Sequence, residues 1–507
     1  MRLLSIFSLV YILLPSFIFL ASWVSRPVSI LAIGLIMIAF FYATRKIRFD
    51  GLDNHGNLYV LNRSLIIRSG GFSLVLCLIS EFGLSPYQSY DYMAHNYKFN
   101  LLACQELPLF DVEKGIYACY YFGFYIVPSM FGKIFGLASI QYFSFIWIWI
   151  GLWLSFIWIN IRLEFESIKP IYSKYGIWIL LILTGSFVNS ILPLYDFFIH
   201  DDFVSNNAVD LTNNFVLNQV PVFTRNLSES TQHSIPAILG ISIFLVIFKN
   251  RDSAFYGILF LLGTLFWSPF STIGLFLFVL LKILKQLFDK PSRIYSIVAF
   301  SLISLLGFLP IIIFFLSSNS TSMASNKFIW QVDIASWPFY YALYVFSFIG
   351  VWFFLLGRKI FFFDKEALIV SVVIFLVLGL VQMGHYNDLN IRASIPAQIV
   401  LGLSVILVLM RDFELLTIRF LIVLVFFVVN SFSVWKFYYE RFFVLSDGQK
   451  MNTIESPVVP EYGNNFFDFM RNAYSENGEE VVKQYSLRKG SLFEKYLLKK
   501  EKIVGEL

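Results

Sequence analysis

The chain has 507 residues, 58% of them apolar, 19% aromatic and only 14% charged, where an ordinary soluble domain carries about 25% charged residues. So much apolar surface cannot be hidden from water, which excludes a soluble globular protein. The net charge of +5 marks no nucleic-acid surface either, because the basic residues sit in short loops between apolar runs, where they report orientation.

Thirteen runs are long and apolar enough to cross a bilayer core of about 30 Å. In chain order they are Leu3 to Val24, Pro27 to Thr44, Ser69 to Pro86, Ile140 to Ile161, Gly176 to Pro193, Ser234 to Phe248, Ala254 to Pro269, Phe270 to Phe288, Tyr295 to Leu316, Trp337 to Leu356, Ala367 to Gly384, Ala393 to Met410 and Ile418 to Trp435. The first is too long for the core of a signal peptide and is followed at once by a second, so it reads as a retained helix. The expected class is an all-α polytopic membrane protein. Residues 1–68 carry two helices and a loop, residues 69–435 the main body, and residues 436–507 a polar tail with 11 basic and 11 acidic residues. A tail of that size makes only a marginal core of its own.

One further apolar segment, Tyr117 to Leu137, decides the parity of everything after it. Left out as a span, it puts 20 basic residues on the inside and 7 on the outside; counted as a span, it reverses the bias to 10 and 17. Lys and Arg in short loops favour the cytoplasmic side, so the first frame holds. The segment is rich in aromatics, broken by Gly123, Pro128, Gly132 and Gly136, and carries Lys133, which suits a helix lying along the outer surface. The N-terminus is then cytoplasmic and the tail is outside.

In this frame two long outer loops, 87–139 and 194–233, collect the polar chemistry. Four of the five histidines, His95, His200, His233 and His385, fall on that face. Glu81 is the only acid within a span, and the spans show no charged midplane, which weakens a transporter reading. Asp91 and His95 stand four residues apart, one turn if the stretch is helical. The carboxylate can take a proton from a sugar hydroxyl beside an orienting histidine or hold a divalent cation; spacing alone favours a solvated loop acid beside an interfacial histidine. His200-Asp201-Asp202 can contribute to a Mg or Mn site, although adjacent acids do not point into one site on a regular element; no cofactor is firmly implied. The cysteines, Cys77, Cys104 and Cys119, are too few for a disulfide framework, and only a Cys104 to Cys119 bridge is conceivable.

Asp91 just after a span, then Pro108, then Tyr120-Tyr121-Phe122-Gly123-Phe124-Tyr125 running into Lys133-Ile134-Phe135-Gly136, resembles the first outer loop of GT-C superfamily glycosyltransferases. Thr231-Gln232-His233-Ser234-Ile235-Pro236, Trp267-Ser268-Pro269-Phe270 and Asn387-Asp388-Leu389-Asn390-Ile391-Arg392-Ala393-Ser394-Ile395-Pro396 resemble bacterial membrane proteins of the same group. The likeness covers roughly residues 69–435. It implies a GT-C fold in a bacterial plasma membrane and transfer of a sugar from a polyprenyl-phosphate donor, at the outer face, to a cell-envelope glycan or lipid acceptor. It gives Asp91 the part of base, with His95 its neighbour. The leaving lipid phosphate calls for fixed positive charge, for which Arg392, His385, His233 and Arg225 are the candidates. Asp91 is followed by Tyr92, so the paired acids of better-known members do not carry over, and Ser268-Pro269-Phe270 reads first as a turn between helices. The rival readings are an O-antigen or capsule polymerase, which relies on outer-loop arginines, and a lipid-linked oligosaccharide flippase or transporter.

Overall fold

The computed structural model describes residues 1–47, 63–80, 90–111, 115–164, parts of 178–185, 222–247, 253–319, 327–332, 337–383, 387–412, 417–443, 466–473 and 478–499. The fold is all-α, apart from two antiparallel pairs of two-residue strands, β1 (Phe110–Asp111) with β2 (Ile116–Tyr117) and β3 (Lys327–Phe328) with β4 (Val381–Gln382).

Helices occupy twelve of the thirteen expected runs; the exception, 176–193, lies largely outside the described residues. They are α1 (Arg2–Trp23), α2 (Arg26–Lys46), α3 (Arg63–Ile79), α6 (Ser139–Glu164), α8 (Thr231–Ile247), α9 (Ser253–Trp267), α10 (Pro269–Asp289), α11 (Ile294–Leu316), α12 (Trp337–Val345) continued by α13 (Val351–Leu356), α14 (Lys365–Leu378), α16 (Ile395–Asp412) and α17 (Ile418–Phe443). Among the described residues six helices are long and apolar enough to cross a membrane. Between α3 and α6 lie α4 (Tyr90–Cys104) and α5 (Gly123–Phe135); α7 (Phe223–Glu229) precedes α8, and α15 (Asp388–Ala393) precedes α16. Two short tail helices follow, α18 (Phe466–Ala473) and α19 (Gly478–Gln484).

Local chemistry sets the boundaries. Ser268 caps α10 by accepting from the Ser271 N–H at 3.0 Å, with Pro269 in the first turn, and Asp364 caps α14 through the Ala367 N–H at 3.1 Å. Gly136, at φ +91°, ends α5 where a side chain would be strained. The helix at the third expected run begins at Arg63, six residues before Ser69, with Ser64, Leu65, Ile66, Ile67 and Arg68 in its first turns.

Contacts sort the connections into two ends. At one end the tail meets the connections after α1, before α5 and after α11: Val24 bridges Leu498, Ala118 bridges Ser486 and Ser318 bridges Leu487. The β3–β4 pair joins the connections after α11 and α14 at that end. At the other end Arg162 donates to the Phe363 carbonyl at 2.7 Å, Lys285 pairs with Glu366, and Tyr256 donates to the Ser5 carbonyl at 2.9 Å. This is the same division that positive charge gave.

The segment at Tyr117 to Leu137 is not one helix. Its first residue, Tyr117, belongs to β2, and α5 follows with 13 residues, about 20 Å long at ~1.5 Å per residue and too short for a bilayer core. The N-terminal half of α5, Gly123 to Ser129, is buried all round, with α4 and α6 packed against the helix, while Phe131, Ile134 and Phe135 near its C-terminal end are exposed. It is therefore embedded in the protein by its first two turns, and only its last turn is open. No Cys104–Cys119 bridge forms: Cys104 is an exposed free thiol and Cys119 a buried one.

Candidate functional site

The Asp91 and His95 stretch is helical, so the two residues stand one turn apart on α4. The Asp91 side chain lies outside the described residues, as do His385 and His200-Asp201-Asp202. His95 is 3% exposed, and its Nδ1 lies 2.6 Å from the Tyr125 hydroxyl of α5. Its Nε2 is buried without a hydrogen-bond partner of ordinary geometry among the described residues. Burial first, then the Lys98 ammonium, holds this imidazole well below its usual 6.5; the Glu229 backbone carbonyl pulls the other way and Arg392 adds to the lowering. His95 is thus a neutral ring at neutral pH.

A second line of polar contacts runs through α8. His233, fully buried, has Nδ1 2.6 Å from the Ser268 hydroxyl and Nε2 3.4 Å from the Tyr121 hydroxyl. Ser268 Oγ already accepts from Ser271 N–H, so its own proton is free to go to His233 Nδ1. With the Ser268 hydroxyl donating to Nδ1, the ring proton stands on Nε2, facing Tyr121; with Nδ1–H donating to Ser268, Nε2 is the acceptor. Arg392 Nη1 reaches the same Tyr121 oxygen at 3.5 Å, Arg392 Nη2 pairs with Asp388 at 3.0 Å, and the guanidinium lies over the Phe270 ring at 5.6 Å. Burial raises the Tyr121 hydroxyl above its ordinary 10.0, with Arg392 the main opposing influence. The Asp388 pairing is consistent with an anchor for Arg392, yet the same guanidinium still faces Tyr121.

Two glycines make this convergence sterically possible. A Cβ on Gly123 would sit 2.7 Å from the Phe266 carbonyl, so only glycine lets the start of α5 press on the α9–α10 turn and bring Tyr121 to His233. A Cβ on Gly274 would collide with the Ala393 carbonyl, so α15 and its Arg392 approach α10 only because that side chain is missing.

Lys98, 3% exposed, completes the group one turn after His95, with its ammonium over Tyr120 at 4.6 Å, Tyr125 at 5.4 Å and Tyr485 at 5.8 Å. The structure therefore gathers His95, His233 and Arg392 from segments some 300 positions apart, at the end of the bundle that holds the tail. Arg225 is not gathered in: it lies on the exposed side of α7, paired with Glu229 at 2.8 Å. Sequence reasoning missed Lys98, Tyr125 and Tyr485 as site residues and took Ser268 for a turn. Lys98 was detectable, since Asp91, His95 and Lys98 follow the i, i+4, i+7 period of one helix face; Tyr485 carried no local signal.

With two cations, two neutral histidines and several hydroxyls, the cluster has the chemistry to bind an oxyanion and move a proton. Among the described residues no three His, Cys, Asp or Glu side chains come together as metal ligands. An apolar crevice of about 20 Å³ lined by Phe348, Trp352, Phe375, Gln398 and Phe426 contains none of the cluster side chains. Compared with known proteins, the chain matches no family model, no curated protein and no solved structure.

Proposed function

We propose that the chain is a membrane glycosyltransferase of GT-C type that takes a sugar from a polyprenyl-phosphate donor and passes it to a cell-envelope glycan or lipid. The observation that carries this reading is the convergence of buried Lys98, His95 and His233 with the partly exposed Arg392 at one end of an apolar helical bundle. The proposal includes 13 spans, a cytoplasmic N-terminus in a bacterial plasma membrane, and the cluster on the outer side.

In the reaction, Asp91 removes the proton of the acceptor hydroxyl, the acceptor oxygen bonds to the anomeric carbon, and the bond from that carbon to the phosphate oxygen breaks. The electron pair leaves on the lipid phosphate. Arg392 suits that charge through its planar fork and Lys98 as a point charge. Neutral His95 and His233 supply or accept hydrogen bonds at the same centre without adding charge. Purified protein supplied with a panel of polyprenyl-phosphate sugars should release free polyprenyl phosphate from at least one, detected by mass spectrometry. Release from none of them counts against the reading.

A further inference from the structure

The described part of the polar tail packs directly on the bundle. Residues 484–499 run as a strap across the end of the bundle, tied by backbone hydrogen bonds to three distant connections. Cys119 N–H donates to the Tyr485 carbonyl and Leu487 N–H to the Tyr117 carbonyl, both at 2.8 Å. Arg488 N–H donates to the Ser317 carbonyl, and at the far end Ser25 N–H donates to the Leu497 carbonyl, again at 2.8 Å each. Phe493, fully buried, anchors the strap between Phe19 and Phe314 at ring separations of 6.1 and 5.1 Å. The strap's backbone is thus fixed at and just after Tyr485, which is half-buried. Its ring lies 4.9 Å from Tyr120 and 5.8 Å from the Lys98 ammonium.

Three tyrosines, Tyr120, Tyr125 and Tyr485, consequently surround one buried ammonium, two from the first outer connection and one from the C-terminal strap. Ring faces attract a cation and fix where it sits. A lysine on a flexible stem loses its wandering in such a cage, and a fixed cation that acts on His95 together with Arg392 forms a preorganised anion site. We infer that the C-terminal strap is a working part of the proposed site: Tyr485 is a positioning residue that closes the cage on Lys98 and aims it at a phosphate or diphosphate group. The inference rests on the glycosyltransfer reading only in identifying that anion with the leaving group.

The test uses the full-length protein in detergent, inorganic diphosphate as probe, and the shift of the thermal unfolding midpoint with probe concentration as readout. Tyr485→Phe keeps the ring and should bind diphosphate within about twofold of the unmodified protein. Tyr485→Leu keeps apolar bulk but no ring face, and with Lys98→Met should weaken binding at least fivefold. A structural role alone would lower the unliganded midpoint of Tyr485→Leu and leave its diphosphate affinity intact, which would overturn the inference. So would equal loss in Tyr485→Phe, or no binding by the unmodified protein. Binding through Tyr485 and Lys98 without release of lipid phosphate from any donor would keep the cage and remove the glycosyltransfer reading. Full transfer with unchanged diphosphate affinity in Tyr485→Leu would remove the cage alone.

Discussion

The hydrogen bond between Tyr125 and His95 offers a quantitative test of the site's geometry. At 2.6 Å and out of water, it satisfies an imidazole nitrogen that has no solvent to turn to. Tyr125→Phe deletes only the hydroxyl and leaves that nitrogen bare, at a cost of about 1–3 kcal/mol. His95→Leu removes the ring, and Tyr125→Phe on that background should cost little. A double-mutant cycle from denaturant unfolding in detergent should therefore give a coupling of roughly 1–2 kcal/mol. The pH dependence supplies an independent check. His95 is held below 6.5 in the folded state, so the unfolded chain binds the extra proton. Stability should be level above about pH 7.5 and fall as pH drops through 6.5 and below, with a shallower slope in His95→Leu, where the equally buried His233 supplies what remains. Additive single effects together with an unchanged acid slope in His95→Leu would refute the placement of His95.

Three further outcomes are expected. Gly274→Val should destabilise the fold by more than about 2 kcal/mol, because it drives a side chain into the Ala393 backbone, and thermal unfolding should show it. Arg225→Gln removes an exposed helical ion pair and should change stability by less than about 0.5 kcal/mol, with transfer retained; loss of transfer would return Arg225 to the site. A membrane-impermeant maleimide applied to intact cells should label Cys104 and spare buried Cys77 and Cys119, as read by peptide mass spectrometry.

Apolar runs read well because length and composition alone decide them: twelve of the thirteen expected segments are occupied by helices, with α3 starting six residues early. The division of connections between two ends was equally legible, since it follows from where Lys and Arg sit. The interior of the first outer connection was harder. The aromatic content of Tyr117 to Leu137 suggested one surface helix, while the pairing of β1 with β2 and the close fit allowed by Gly123 depend on partners far away in sequence. Candidates chosen by residue type met in part: His95, His233 and Arg392 converge, whereas Arg225 is satisfied by its own i+4 neighbour. Tyr485 was invisible, because nothing local marks the strap that carries it to Lys98.

The most direct test of the central claim is the turnover of Asp91→Asn, measured as release of free polyprenyl phosphate from the donor that the unmodified protein uses. Loss of a general base costs about 10²–10⁴-fold in rate, so the account predicts a fall of at least about 100-fold in protein that still inserts and unfolds at the normal temperature. Near-normal turnover in Asp91→Asn would contradict it.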